Sequence, residues 1–277
     1  MRAFSKTMGY YVIKEIYPWL YSIRDHDVFC YVLVGGQRAV LFDTAYGIAD
    51  LHSAVRSVTD KPYDVILGHG HLDHVNGAYQ FDKVYMHEGD FDLCRLHTSR
   101  PYRENLVKAF AGTNTDAPPE FDREAYLASG EPNLEKLEIG RVFDLGGLSI
   151  EIVDMIAHTQ GSIGLLVREK RVLLVSDAAN GHVWLFTEET LPLKDYVEML
   201  ERTYSSVPFD TFFIGHDDAP LPKSDFVKYI SAAKAVSMEK SVPYETAYLP
   251  ELKPYIFSLD GVDVIFSEKK LGGLRQD

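Results

Sequence analysis

Three histidines and one aspartate fall within six consecutive residues, directly after a short apolar run. The segment His69-Gly70-His71-Leu72-Asp73-His74 follows residues 64–67, whose pattern predicts a strand. Neutral imidazole and carboxylate groups are the ligands that suit zinc and its neighbours. A chance match to this spacing is on the order of one in a thousand. The segment therefore predicts a metal site on a loop at the end of a strand, and a solvated polar loop is the weaker interpretation.

Three further metal-competent side chains also come just after apolar runs. His158 follows the strand predicted at 148–156, Asp177 follows the one that ends at residue 175, and His216 follows 211–214. Residues that follow strands can converge where the strand ends meet. We therefore expect these side chains to join the histidine-rich loop.

Two-residue turn signals separate neighbouring apolar runs at both ends of the chain. Gly35-Gly36 lies between the runs 28–34 and 39–42, and Asp260-Gly261 lies between 255–259 and 262–266. Both patterns predict β-hairpins.

Between the hairpins, strand and helix patterns alternate. The fold class is therefore α/β, or mixed α+β with layered sheets, and residues 1–277 are predicted to form a single domain. Residues 91–137 are polar and proline-containing, so they are expected to form an inserted lid of helices and loops over one end of the sheet, and residues 250–270 to contain a C-terminal hairpin.

Five segments, taken together and in order, resemble the motifs of the metallo-β-lactamase superfamily. The resemblance implies an αβ/βα four-layer sandwich, in which two mixed sheets face each other, helices cover the outsides and the metals lie at one edge. The segments are Leu41-Phe42-Asp43-Thr44, residues 68–77, Ala157-His158-Thr159-Gln160-Gly161-Ser162, Val175-Ser176-Asp177-Ala178 and Ile214-Gly215-His216.

The resemblance also implies a dinuclear centre, with two zinc ions per chain and iron or manganese as alternatives. One ion would be held by His69, His71 and His158, the other by Asp73, His74 and His216, with Asp177 bridging both. Asp73 would be the catalytic residue that orients a metal-bound hydroxide or passes its proton to the leaving group. Asp43 would hold a ligand histidine in one tautomer by hydrogen bonding.

Four other residues are candidates for a substrate pocket. His87 ends a predicted strand, although packing beside the site is its more ordinary role. His182, Trp184 and Phe186 follow Asp177 closely and could line the pocket mouth, or the two aromatic residues could belong to the core. The remaining histidines, His26, His52 and His97, are expected at surface or helix positions.

The function implied is a zinc-dependent hydrolase of a small ester, thioester, lactone or amide, in which the metal-bound hydroxide attacks the carbonyl. Two alternatives remain open: an iron-dependent oxidoreductase or dioxygenase on the same fold, and a non-catalytic scaffold stabilised by its metals. Flavodiiron relatives tend to carry Glu where His71 stands, and a complete ligand set is unlike a closed structural site.

Charge and composition limit the partners. With 28 Lys and Arg against 41 Asp and Glu, the net charge is −13, and no basic block suits nucleic acid. The chain has two cysteines, and neither a membrane span nor an export signal is recognisable, so a cytoplasmic enzyme with a small-molecule substrate is expected, and homo-oligomer formation is left open. The lid contains three arginines for which two roles are open. They form a solvated helix face, or one of them binds an anionic group of the substrate: Arg95, Arg100 and Arg103.

Overall fold

An eight-stranded sheet occupies the N-terminal half of the chain. The computed structural model describes residues 5–112, 117–246, 249 and 251–272. Strands are numbered along the chain, and this first sheet contains β1 (Ser5–Met8), β2 (Tyr11–Tyr17), β3 (Leu20–Asp25), β4 (Val28–Val34), β5 (Ala39–Phe42), β6 (Tyr63–Ile66), β7 (Val84–Met86) and β8 (Leu134–Lys136). Neighbours are antiparallel from β1 to β5 and parallel from β5 to β8. The hairpin predicted at Gly35-Gly36 is the β4–β5 connection.

Five helices accompany the first sheet. They are α1 (Leu51–Arg56), α2 (Leu72–Val75), α3 (Phe91–His97), α4 (Arg100–Gly112) and α5 (Arg123–Ala128). Leu51 of α1, Cys94 of α3 and Tyr126 of α5 share one buried apolar cluster with Cys30 and Val32 of β4. These helices therefore cover the outer face of the sheet.

The second sheet has six strands and two covering helices. Its order is β15-β14-β12-β11-β10-β9, from Leu221–Pro222, Thr211–Phe213, Val172–Leu174, Ile163–Val167, Ser149–Asp154 and Val142–Asp144. The helices α6 (Leu193–Ser206) and α7 (Phe226–Ala235) pack through Leu200 and Phe226 into a cluster with Leu173 of β12. Only the β12–β14 pair is parallel within the part of this sheet that the structure describes.

The two sheets face each other across an apolar core. Along β4, Tyr31 and Leu33 point into this core, where they meet Ile152 and Leu165 of the second sheet, while the alternate residues point to the helices. Successive side chains of a strand point to opposite faces, so a strand buried on both sides reads as a continuous apolar run. The expected four-layer αβ/βα arrangement is confirmed.

A third, four-stranded sheet completes the structure and was not predicted. Its order is β13-β18-β17-β16, from His182–Leu185, Val262–Phe266, Tyr255–Leu259 and Val242–Pro243. The β17–β18 hairpin agrees with the prediction, and Asp260 and Gly261 both have positive φ, as its tight turn requires. The parallel pairing of β18 with β13 joins segments about 80 residues apart, which no local pattern indicates.

The polar insertion differs from the expected lid in its last part. Helices α3 to α5 lie in it, but Leu134–Lys136 is strand β8, which extends the first sheet by pairing in parallel with β7. None of the helices in the described parts of the chain combines the length and the apolar character that a membrane-spanning helix needs.

One lid arginine is part of the core. Arg103 is fully buried; its Nε donates to Asn76 Oδ1 at 3.1 Å and its Nη1 donates to the backbone oxygen of Ser129 at 2.6 Å. Its guanidinium lies 5.3 Å from the ring centroids of both Tyr79 and Tyr126. The hypothesis that Arg103 clamps a substrate anion is therefore wrong. Arg95 and Arg100 are exposed and paired with acidic neighbours.

Candidate metal centre

The seven predicted ligands come together in two groups. In each group, one nitrogen or oxygen ligand atom from every residue lies within 4.8 Å of the others. The first metal group is His69, His71 and His158, and the second metal group is Asp73, His74, Asp177 and His216. Asp177 lies with the second group, and its bridging of two ions stays a prediction, as do the ligand roles.

The first metal group consists of converging imidazoles. Nδ1 of His71 lies 3.0 Å from Nε2 of His69 and 3.0 Å from Nε2 of His158. Burial and the neighbouring histidines, His74 and His71 foremost, hold the pKa of His69 well below its usual value. Burial, aided by His71, lowers the pKa of His158 to about 4. Glu189 instead raises the pKa of His71, against the effect of burial. Once His71 is deprotonated, the three nitrogens that point at one another suit a shared cation, because each can offer a lone pair.

The second metal group combines carboxylates and imidazoles. Asp177 Oδ2 lies 3.2 Å from His216 Nε2, and Asp177 Oδ1 lies 3.4 Å from His74 Nε2. Burial would raise the pKa of Asp177, but His216 and His74 hold it well below its usual value. Burial would likewise lower the pKa of His216, yet Asp177 and Asp73 raise it to about 9.

Two atoms of the second metal group point to a ligand. His74 Nε2 and Asp177 Oδ1 are buried and lie 3.4 Å from each other, and neither makes a hydrogen bond with any residue that the structure describes. Buried polar atoms without partners are costly and rare in folded proteins. A cation between them and their neighbours would satisfy both atoms, so these residues fit the metal that the ligand pattern implies.

The backbone around the centre is strained where strands end. Two residues near strand ends have positive φ: 65° at Asp43, just after β5, and 48° at Ser176, shortly after β12. This is the left-handed region, which residues other than glycine rarely adopt. Gly215 follows β14 closely, and a Cβ there would lie 2.3 Å from Asp177 Oδ1. Any side chain at position 215 would therefore collide with Asp177, so the second metal group needs glycine there.

Asp43 makes the contacts expected of an orienting residue. Its Oδ2 lies 2.9 Å from His74 Nδ1, and its Oδ1 accepts from the Gly68 backbone N–H at 2.6 Å. The Ser176 hydroxyl donates to Asp43 Oδ2 at 2.8 Å. With Nδ1 held in this way, Nε2 is the atom of His74 that faces the second metal group.

Glu189 is a site residue that the sequence analysis missed. Its Oε1 lies 2.9 Å from Nε2 of His71, the ring nitrogen opposite the one that faces the first metal group. Burial would raise the pKa of Glu189, but the hydrogen bond to His71 lowers it to about 2. Glu189 is 118 residues away from His71 in sequence, and nothing in its local pattern indicates the contact.

Backbone carbonyls hold two further ligand rings. His158 Nδ1 donates to the oxygen of Trp184 at 3.1 Å, and His216 Nδ1 donates to the oxygen of Asp27 at 2.8 Å. Each bond selects the tautomer that leaves Nε2 facing its metal group.

His97, at the end of α3, and Asp90, just before α3, contact the histidine-rich loop, and the sequence analysis assigned neither to the site. His97 Nδ1 donates to the oxygen of Gly70 at 3.0 Å, and its ring centroid lies 5.6 Å from that of His71. Burial lowers the pKa of His97 to about 4. Asp90 Oδ2 accepts from the Gly70 N–H at 2.8 Å and from the Thr159 hydroxyl at 2.6 Å, linking the two histidine-bearing loops. Its place after β7 is the signal that could have found it.

The four candidate pocket residues are not part of either metal group. His182 is exposed and lies 3.0 Å from Asp263 on the third sheet, and His87 Nδ1 accepts from the Gly89 N–H at 3.2 Å. Phe186 is buried, with its ring 5.0 Å from that of Trp184. A pocket role for these residues stays a prediction, and only the backbone of Trp184 has a contact to a ligand histidine among those described above.

The chain belongs to the metallo-β-lactamase superfamily. A family model described as "Metallo-beta-lactamase superfamily" matches residues 23–249. The match agrees with the four-layer fold and with the two groups of His and Asp side chains that could hold metal ions.

Curated and solved relatives agree with this fold. Human "Acyl-coenzyme A thioesterase MBLAC2" is 25% identical over 184 residues, which are 61% of this chain and 64% of that protein. The sec-alkylsulfatase Pisa1 from Pseudomonas sp. superposes with a TM-score of 0.59 at 17% identity, over 80% of this chain and 40% of that one. TTHA1623, solved in a di-iron-bound form, superposes with a TM-score of 0.52 at 20% identity, over 71% of this chain and 90% of that one. The chain thus spans less than two thirds of the thioesterase and of the alkylsulfatase.

Proposed function

We propose that the protein is a dinuclear metal-dependent hydrolase of a small carbonyl substrate, with zinc as the metal and a thioester as the leading substrate class. The observation that carries the proposal is the pair of buried atoms His74 Nε2 and Asp177 Oδ1, 3.4 Å apart and without a hydrogen bond, within a set of seven candidate ligands. A thioester is favoured over an ester, lactone or amide because the human relative is named as an acyl-coenzyme A thioesterase.

In this proposal the seven candidate ligands bind the metal ions, and one of them, Asp73, also transfers a proton. Bound divalent cations would polarise the substrate carbonyl and lower the pKa of water near them. Asp73 is the most exposed carboxylate of the seven ligands, with Oδ2 3.5 Å from His216 Nε2 and 3.6 Å from His74 Nε2. With Oδ2 facing the metal group, its other oxygen, Oδ1, would accept a proton from the attacking water and pass it to a leaving thiolate or alkoxide.

Iron chemistry is the second candidate, because TTHA1623 was solved with two irons. Imidazole and carboxylate ligands suit iron as well as zinc, so the ligand set alone does not choose between them. Metal analysis of protein purified without added metal, followed by reconstitution with each metal separately, distinguishes the two.

The test is a substrate panel with metal-loaded protein. Acyl-CoA thioesters, oxygen esters, lactones, an alkyl sulfate and a phosphodiester are compared, and released thiol or acid is measured. We expect thioester hydrolysis that a chelator abolishes and that His69→Ala reduces by about a thousandfold or more. His52→Ala, at an exposed histidine of α1 away from both metal groups, serves as the matched control. Metal-loaded protein that hydrolyses none of the carbonyl substrates would contradict the proposal.

A further inference from the structure

The segment 184–189 contacts two of the three histidines of the first metal group. The backbone oxygen of Trp184 accepts from His158 Nδ1, and the carboxylate of Glu189 accepts from His71 Nε2. Both contacts are made by the ring nitrogen that faces away from the metal group. One short segment thus orients both rings.

This segment is itself held by the C-terminal part of the chain. His182–Leu185 pairs in parallel with Asp263 to Phe266 of β18, so that Trp184 lies opposite Ile265. Beyond β18, Lys270 Nζ donates to the backbone oxygens of Glu188, at 3.2 Å, and of Thr190. Those two carbonyls flank Glu189, so Lys270 holds the loop on both sides of the carboxylate.

The elements that hold the segment 184–189 in place lie outside the region that matches the superfamily model. That match ends at residue 249, whereas β18 and the 3₁₀ helix Glu268–Leu271, which carries Lys270, come after it. The segment that carries Glu189 is therefore held by chain that lies beyond the matched region.

We infer that the C-terminal hairpin and Lys270 act as a support that fixes Glu189 on His71 and so sets the metal affinity of the first metal group, with little effect on the second. Glu189 and Lys270 are positioning residues in this inference, which rests on the proposed metal centre. A carboxylate on the far nitrogen of a ligand histidine fixes its tautomer and raises its basicity, and loss of such a partner costs about 10- to 100-fold in metal affinity.

The experiment measures metal binding instead of turnover. Co²⁺ is titrated into metal-free protein, with absorption spectra reporting its sites and chelator competition reporting the two dissociation constants. We expect Glu189→Ala to weaken one of the two sites about 10- to 100-fold and to leave the other unchanged. Glu189→Gln, which keeps an acceptor oxygen for His71, should lie between Glu189→Ala and wild type. Lys270→Met should weaken the same site by up to about tenfold.

Neighbouring residues provide the controls. Glu188 and Lys269 are exposed, belong to the same two segments and have the same charges, so Glu188→Ala and Lys269→Met should bind both ions as wild type does. The thermal midpoints of the metal-free variants are compared, because a general loss of folding would lower them together. The inference is overturned if Glu189→Ala matches Glu188→Ala, or if Lys270→Met matches Lys269→Met. Wild-type protein that takes up no Co²⁺ would overturn the proposed function instead.

Discussion

Nδ1 of His74 and Oδ2 of Asp43 lie 2.9 Å apart in a fully buried contact, and this contact turns the other nitrogen of His74 toward the second metal group. The carboxylate also accepts from the Gly68 N–H at the start of the histidine-rich loop. Asp43 therefore connects the end of β5 to the loop that carries four predicted ligands.

Asp43→Asn is expected to weaken metal binding by the second group about 10- to 100-fold, because the neutral amide holds His74 less firmly and leaves its ring less basic. The first group should be affected much less. Competition with a chelator, read separately for the two Co²⁺ sites, measures both constants. Equal weakening of both sites would show that Asp43 supports the loop as a whole instead of His74 in particular.

Asp73→Asn should reduce turnover far more than it reduces metal content. The amide oxygen can still act as a ligand, but it cannot accept a proton or carry charge. We expect a fall in kcat of about a hundredfold or more in protein that still holds both ions. Near wild-type kcat in the fully loaded variant would exclude proton handling by Asp73.

Binding of two ions per chain should release protons, mainly from the second metal group. Asp177 and Asp73 overcome the effect of burial and raise the pKa of His216 to about 9, and carboxylates led by Asp177 likewise raise the pKa of His74, so both rings are protonated at neutral pH without metal. In the first metal group His69 and His158 have lowered pKa values and are already neutral, and only His71 has a raised pKa, because Glu189 overcomes the effect of its burial. Affinity at the second site should therefore rise up to about pH 9, by about tenfold per pH unit for each proton displaced, and more steeply than at the first.

Calorimetry in buffers of different ionisation enthalpy counts the released protons, and elemental analysis counts the ions. One ion per chain under metal-replete conditions, or the same pH slope at both sites, would contradict this assignment.

Arg103 is expected to matter for stability and not for substrate charge. Arg103→Ala removes the hydrogen bonds to Asn76 and Ser129 and leaves a cavity between two tyrosine rings, so the free energy of unfolding should fall by about 2–4 kcal/mol. Arg100→Ala, an exposed control on the same helix, should change it by less than about 0.5 kcal/mol. Urea unfolding of the two variants measures the difference, and similar values for both would refute the structural role.

Asp25 should make the fold less stable as the pH rises. Burial raises its pKa to about 7, against an ordinary value of 3.8, so between these values the folded protein keeps a proton that the unfolded chain has released. The contribution of this carboxyl to the free energy of unfolding is full below about pH 4 and is lost by about pH 7. Asp25→Asn has no such loss, so its stability relative to wild type should improve by on the order of 3 kcal/mol from pH 4 to pH 8.

Urea unfolding of both proteins at several pH values, with chelator present throughout, tests this. A stability difference that does not change with pH would show that Asp25 is ionised at a normal pKa in the fold.

The sequence by itself determined the superfamily, the four layers and the residues expected to act as ligands. Each of these follows from the local sequence. A strand that is buried on both faces gives a continuous apolar run, as in β4. The metal-competent residues directly follow such runs. His69, His71, Asp73 and His74 also lie so close in sequence that their spacing alone indicates a common site.

Only the tertiary structure decided which groups hold the candidate ligands in place and which charged side chain of the lid is buried. Glu189 contacts His71, which is 118 residues away in sequence, and β18 pairs with β13, about 80 residues away. Hydrophobic periodicity does not indicate contacts between residues so far apart in sequence. Arg103 reads as a surface charge in a polar helix, yet it is buried because Tyr79, Tyr126 and Asn76 surround it in the fold. Such contacts depend on packing between distant segments, and local sequence patterns record only what each segment buries by itself.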